Sequence, residues 1–505
     1  MGRVSILCVC ALLLACSARA APAPLYRREY GSRSDFRIPA EELAFLRSSF
    51  PESEGLVIRQ KSGEYVKHLA LETPRCTARP FVIFAPADHA QAQAVVRLLA
   101  RYSQPFAVVG GGHDFECGSS SQGALISTRR LLGVRLEGER AVIQAGVRGV
   151  EVLQALAAKD RTAVLGGCAT VGIVGFLLGG GHNDITSNIY GLGAASVLSA
   201  KVVLADGRLV EATRDNQHRD LLWALMGAGG GHLGLVVEVT MRTFPERPAH
   251  FARLVLDFGK RPEEARQFVR DWSDHVVEHF PLSAGTHLGS IGASSYYVES
   301  MCIDCDLRAL YAPLLAQYDG AFVSRLFETN TYAPYYLARE FWAERKKGPL
   351  PSYWLDAFLD EPQDADNRVG TFVISAIFGG ASPPLGLWLN EHLLAPAHVQ
   401  VYISDIRNVL PDPSLSSFPY THAKWCVYFD AKYPRGLTTD FFLARMHELL
   451  RVVRALPEYQ GSYVNDLSCL LPDLDEYLGP NSPEVKRILD KYDPARLFRR
   501  PACGL

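Results

Sequence analysis

The sequence predicts an α+β fold with two main parts. The first holds short strands and tight glycine turns, and the second is a domain built on an antiparallel sheet flanked by helices. Three observations carry this. Between residues 70 and 246, short apolar runs rich in β-branched residues alternate with amphipathic stretches and are punctuated by glycine. Two pairs of such runs are joined by Glu137-Gly138 and Asp206-Gly207, which read as hairpin turns. After residue 246 the glycine clusters thin out and longer strand-like segments alternate with helical ones. The expected organisation is a lead-in over 21–69, a glycine-rich unit over 70–246, a second domain over 247–454 and a C-terminal segment over 455–505.

In chain order, residues 39–49 read as a helix, 80–86 as a strand and 88–103 as an amphipathic helix. Residues 105–112 read as a strand running into glycines, 124–128 as a strand, and 134–146 and 202–210 as hairpins. A helix over 218–231 stops in a glycine run, and 232–245 is a strand ending at Pro245. The second domain reads as strand 251–258, helix 263–276, strand 285–300, helix 335–346, and strands 371–380 and 425–434. A last helix over 484–498 is broken at Pro494.

The chain has 505 residues, enough for two or three cores, with 48% hydrophobic and 21% charged residues. A net charge of −2, with no basic block, gives no reason to expect nucleic acid. At the N-terminus, Arg3 is followed by an apolar run over 4–15 and small residues at Ala18 and Ala20. This is the layout of a signal peptide over 1–20 with cleavage before Ala21, and it predicts secretion. Lipidation at Cys16 is the alternative. The run is too short for a membrane span, and no other stretch is long enough.

Past the leader, eight cysteines remain: Cys76, Cys117, Cys168, Cys302, Cys305, Cys426, Cys469 and Cys503. In an oxidising compartment most should pair. Cys302-Ile-Asp-Cys305 has zinc-like spacing, but no second pair follows, so a disulfide is expected and no metal. Secretion here does not imply N-glycosylation, since the chain has no Asn-X-Ser/Thr acceptor.

Three glycine clusters stand out. Gly110-Gly111-Gly112 precedes His113 and Asp114. A second run spans 166–193 and includes Cys168, Val171, Gly172, Gly175, Gly179, Gly180 and His182. A third spans 227–234. Bare backbone N–H groups of this kind can cradle a pyrophosphate or a flat heteroaromatic ring. None is a G-x-G-x-x-G with its downstream acid, and none is a P-loop.

The order GGGHDFECGSSSQGALIST, GGCATVGIVGFLLGGGHNDITSNIYGLG and DLLWALMGAGGGHLGLVVEVT resembles the FAD-binding half of berberine-bridge-enzyme-like flavoproteins. These belong to the vanillyl-alcohol-oxidase/p-cresol-methylhydroxylase (PCMH-type) superfamily. The tail, with Tyr463-Val-Asn465 and Tyr492-Asp-Pro494, is similar to that family's C-terminal segment, whereas 247–454 is only weakly similar. The resemblance implies a two-part FAD-binding domain, a separate substrate domain and a C-terminal return to the FAD domain. It also implies FAD joined through His113 to the flavin 8α-methyl carbon and through Cys168 to C6. An imidazole and a thiolate are both suited to attack an electron-poor ring. If Cys168 belongs to a disulfide instead, the tether is single.

The resemblance further marks Gly110, Gly111, Gly112, Asp114, Val171, Gly172, Gly175, Gly179, Gly180, His182, Val236, Tyr463 and Asn465 as cofactor-side residues. Tyr463 is its candidate base for the substrate hydroxyl, Tyr428 lies on its substrate-facing strand, and Asp466 is a further candidate. Val171 occupies the position where valine goes with oxidases and leucine with dehydrogenases, which makes O2 the expected acceptor. The chain departs from the pattern at Ala169, Phe176 and Asp466, where a proline, a histidine and a tyrosine are usual. His182 and His232 are candidates to replace the lost histidine. Nine aromatics of the second domain suit a sugar or planar phenolic: Tyr296, Tyr297, Tyr332, Tyr335, Tyr336, Trp342, Trp354, Trp425 and Tyr428. The expectation is a secreted FAD-dependent oxidase of a small alcohol or carbohydrate-like molecule that releases H2O2. An oxidative cyclase or dehydrogenase of a specialised metabolite, or a non-catalytic binding protein that keeps the fold, are the alternatives.

Overall fold

A computed structural model describes residues 36–498 except 53–54, 70, 72–75, 77, 169, 293, 331–369, 381–397, 408, 434–438 and 467–472. The leader over 1–20 and its cleavage site, Ala169, the helix expected over 335–346, Tyr332, Tyr335, Tyr336, Trp342, Trp354, Cys469 and Cys503 lie outside the described residues.

The fold is α+β, with three main sheets. A four-stranded sheet has the order Val57–Arg59, Val82–Phe84, Ala124–Ser127, Phe106–Val109. Its three inner pairings include two parallel ones, 82–84 with 124–126 and 106–109 with 124–127. Strands paired in parallel are covered on both faces, and Val82–Phe84 and Ala124–Ser127 are buried at every residue. The crossover helix His89–Arg101 starts where Asp88 accepts a hydrogen bond from the Gln91 N–H at 2.8 Å. A five-stranded antiparallel sheet follows, ordered Val134–Glu137, Arg140–Gln144, Leu235–Arg242, Val197–Val203, Leu209–Thr213. Both predicted hairpins are present in it.

The third sheet is antiparallel and has eight strands. Its order is Phe322–Asn330, Ala249–Asp257, Ser295–Ile303, Ala284–Gly292, His398–Asp405, Trp425–Tyr433, Gly370–Phe378, Tyr459–Gly461. Helix Pro262–His279 turns Ala265, Phe268, Val269, Trp272 and Val276 inward at helical spacing, and Trp272 meets Trp425 of the sheet at 5.5 Å between ring centroids. The expected strand over 285–300 is two strands, because the chain reverses between Gly292 and Ser295 and the halves pair with each other. Strand His398–Asp405 and helices Leu307–Gln317 and Thr439–Arg454 were not anticipated.

Two connections bring the sheets to one place. The edge strand Tyr459–Gly461 pairs with Gly370–Phe378, and the chain then leaves the sheet through Tyr463, whose N–H donates to Ser375 Oγ at 2.8 Å. Asn465 Nδ2 donates across to the Phe176 carbonyl at 3.1 Å, inside the second glycine cluster. The C-terminal segment is therefore pinned to both the large sheet and the glycine turns. Among the described residues, no helix is long and apolar enough to cross a membrane.

Candidate active site

The glycine turns pack backbone against backbone. A Cβ on Gly111 would sit 2.2 Å from Gly172 N, and one on Gly172 would sit 2.5 Å from Gly111 N, so both positions require glycine. Arg129 holds the first turn, donating from Nε to the Gly110 carbonyl at 2.8 Å and from Nη1 to the Lys67 carbonyl at 2.7 Å. Burial lowers this guanidinium to about 10, and the nearby Arg148 charge adds to the effect.

Above the turns lies a cavity of about 490 Å³. Of the predicted residues, it brings together Gly110, Gly111, Gly112, His113, Asp114, Cys168, Val171, Gly172, Gly175, His182, Val236, Tyr428, Tyr463, Asn465 and Asp466. Gly179 and Gly180 do not line it. Gly179 lies under the Asn465 amide, and Gly180 faces Phe418, Leu192 and Tyr463. Phe176 lines the wall, whereas His232 is buried and does not. Of the four predicted second-domain aromatics that are described, Tyr428 alone reaches the cavity; Tyr296, Tyr297 and Trp425 are core.

His113 Nε2 lies 2.6 Å from Thr170 Oγ1. Burial lowers its imidazole to about 4, helped by the Arg148 and Arg129 charges, so the ring is neutral at pH 7. Cys168 is exposed and belongs to neither of the described disulfides. The described disulfides are Cys76–Cys117, which ties down the loop after His113, and Cys302–Cys305, which settles the zinc-like spacing as a bridge. Cys426 runs against the expectation of pairing: it is a buried thiol, pushed well above its ordinary value by desolvation. No group of metal-ligating residues occurs among the described residues.

The opposite wall is a cluster of phenols around one imidazole. Tyr463 Oη accepts from the His182 N–H at 3.0 Å and from Asn465 Nδ2 at 3.0 Å. Tyr428 Oη lies 2.7 Å from His182 Nδ1, with the two rings nearly parallel at 13°. Asp184 Oδ1 stands 3.7 Å from the same Nδ1. Burial raises both phenols and lowers His182, while the Asp184 charge partly offsets the latter. Cross-strand pairing sets Tyr402 opposite Tyr428, and both face the cavity.

Sequence reasoning missed Tyr402, Asp184, Thr170 and Phe115. Asp184 stands two residues from His182 and could have been found from that spacing. Tyr402 could not, because its strand carries no turn signal or glycine.

The cavity suits a flat ring laid on bare backbone. Gly175 and Gly231 line it, and a Cβ on either would meet no protein atom within 4 Å. The neutral His113 and the Cys168 thiol stand at the same cavity, so the residues present fit a flavin.

Comparison with known proteins agrees. Residues 80–213 match a family described as an FAD binding domain. The FAD-linked oxidoreductase ZEB1 of Gibberella zeae is 32% identical over 473 residues, covering 87% of this chain and 76% of that protein. Among solved structures, a berberine-bridge-enzyme-like protein of Physcomitrella patens superposes with a TM-score of 0.79 at 18% identity, over 91% of this chain and 99% of that one. A carbohydrate oxidase of Microdochium nivale gives a TM-score of 0.76 at 19% identity, over 92% and 99%. The fold and the glycine-lined cavity define a PCMH-type flavoprotein. The chain belongs to the FAD-linked oxidoreductases, with the berberine-bridge-enzyme-like fold that its motif order implied.

Proposed function

We propose that this protein is a secreted FAD-dependent oxidase of an alcohol or carbohydrate-like small molecule, producing a carbonyl compound and, from O2, hydrogen peroxide. One observation carries the reading. His113 and Cys168 stand at the same cavity as the Tyr428–His182–Tyr463 cluster, so a tethering pair and a proton-handling cluster face one space. The bound flavin supplies a two-electron acceptor there.

The chain's own residues do the rest. His113 and Cys168 hold the cofactor covalently; neutral His113 keeps the lone pair such a bond needs. The glycine backbone excludes side chains from the ring's place. Tyr463 and Tyr428 present phenol oxygens to the substrate hydroxyl, with Asp466 beside them at the cavity wall. Val171 at the cavity supports O2 as acceptor through its matched position. The apolar run over 4–15 and the two disulfides support secretion.

Peptide mass spectrometry of the protease-digested protein tests the tether. One FAD linking the peptides of His113 and Cys168 is expected, and flavin on neither overturns covalent attachment. Peroxide release with sugars or alcohols is expected. Dye reduction without peroxide would make the protein a dehydrogenase.

A further inference from the structure

The two phenols at the cavity differ in what stands behind them. Tyr463 Oη is met by two N–H donors, the His182 backbone and the Asn465 amide. Donors can steady that oxygen, but neither can take its proton. Tyr428 Oη meets a ring nitrogen, His182 Nδ1, at 2.7 Å. That nitrogen accepts the phenol's hydrogen bond when the neutral ring carries its proton on Nε2. The other ring nitrogen, Nε2, is buried without a hydrogen-bond partner, so the polar groups that face this imidazole, Tyr428 and Asp184, both stand at Nδ1. The His182 side chain is only 4% exposed, while Tyr428 itself is partly open at the cavity. The phenol can therefore touch a substrate that the imidazole cannot.

We propose that Tyr428 and His182 form a proton relay that removes the substrate's hydroxyl proton, with Asp184 as the counter-charge. The inference rests on the alcohol-oxidation reading above. As the substrate C–H bond breaks, its electron pair leaves as hydride to the bound FAD and the carbonyl forms. The hydroxyl proton passes to Tyr428 Oη, and the phenol's own proton passes to His182 Nδ1. The product side holds a carbonyl, a reduced flavin and an imidazolium. The imidazolium then stands 3.7 Å from the Asp184 carboxylate. No phenolate has to persist in a buried site, which is the state that burial opposes most. Tyr463, lacking an acceptor behind it, donates a hydrogen bond to the substrate oxygen instead.

The titratable groups around the imidazole are Asp184, Tyr428 and Tyr463, with Cys426 and Asp466 also bearing on the two phenols. Burial places His182 below its ordinary value, so the relay stays able to accept a proton at mildly acid pH.

The test uses the flavin-loaded protein. Anaerobic bleaching of the flavin is followed with a panel of neutral sugars and benzylic alcohols, as a function of pH. His182→Asn keeps a hydrogen-bonding group near Tyr428 but cannot accept a proton. It is expected to slow bleaching by about 10²–10⁴-fold at neutral pH and to remove the acid limb of the profile. Tyr428→Phe should slow it similarly, and the double variant should be little worse than either single one, as for groups acting in series. Fully additive losses would overturn the relay. An unchanged visible flavin spectrum in each variant checks folding and loading.

A second readout needs no substrate. In nitrogen-15 histidine NMR, the signal lost in His182→Asn should report an unprotonated Nδ1 and a protonated Nε2 at pH 7. A protonated Nδ1 would overturn the relay alone. Absence of bleaching by every sugar and alcohol, with an unprotonated Nδ1, would instead bring down the alcohol-oxidation reading.

Discussion

The floor of the cavity and its far wall are built in opposite ways. The floor is backbone: Gly110–Gly112, Gly172 and Gly175 come from two short stretches, and what they share is missing side chains. The wall is side chains: Tyr402, Tyr428 and Tyr463 come from two strands and a C-terminal turn, and Tyr463 reaches His182 across 281 residues of sequence. A floor of this kind tolerates no addition where backbone packs on backbone, whereas where it opens to the cavity an added methyl meets no protein atom. A wall of this kind tolerates changes of shape but not the loss of a hydrogen-bonding atom.

The sharpest way to break this comparison lies within the floor. Gly111→Ala puts a methyl group 2.2 Å from the Gly172 nitrogen, and backbone cannot swing aside as a side chain can. Overpacking of this severity should cost about 3 kcal/mol or more, enough for little flavoprotein to be recovered. Gly175→Ala meets no protein atom within 4 Å and lies in helix Ile173–Leu178, where alanine is the better residue by up to about 1 kcal/mol. Stability of the flavin-free protein should hold or rise in urea unfolding, while flavin content falls. Equal damage from both substitutions would mean that the floor is structural throughout and not a seat for the ring.

Acid should also act first on the floor's half. His68 supports it: the residue is buried, with Nδ1 2.7 Å from Ser127 Oγ at the end of a strand of the four-stranded sheet. Burial lowers His68 to about 4, with the Arg129 charge adding. The unfolded chain binds this proton at about pH 6.5, the folded chain only near 4. Between those values the unfolded state holds more protons. Stability is therefore fully present above about pH 6.5 and is lost as pH falls through the window, by about 3 kcal/mol. His113 carries a like shift, so His68→Gln should remove roughly half of the fall in urea midpoint across that range, and an unaltered slope would show that other groups carry the acid sensitivity.

How legible each region was follows from the same contrast. A glycine needed for close approach leaves a mark in its own stretch, so Gly111, Gly172 and Gly175 could be read before any fold was known. His113 and Cys168 follow their glycines directly, but the roles expected of them came from the family resemblance. The wall left fainter marks. Tyr463 and Tyr428 were reached through family resemblance, and Tyr402 was missed because strand His398–Asp405 has no turn signal and owes its place to pairing with Trp425–Tyr433. His182 was read as a cofactor-side residue. Its bond to Tyr428 spans 246 residues, and no local pattern encodes it.

The smallest expected effect separates the two phenols of the wall. Tyr463→Phe leaves two donors facing carbon, the His182 N–H and the Asn465 amide. An orphaned buried polar group costs about 1–3 kcal/mol, and the Asn465 side chain can turn to recover part of it, so about 2 kcal/mol is expected. Tyr428→Phe orphans one ring nitrogen, and Tyr428 is partly open at the cavity, so about 1 kcal/mol is expected. Urea unfolding of the flavin-loaded variants should therefore rank Tyr463→Phe below Tyr428→Phe in stability, whereas catalysis should suffer more in Tyr428→Phe. The two phenols would then divide the work, Tyr463 bracing the C-terminal segment against the glycine turns and Tyr428 moving the proton. The same ranking in both measurements would mean that stability alone accounts for the catalytic loss, and the difference between the phenols would lose its functional meaning.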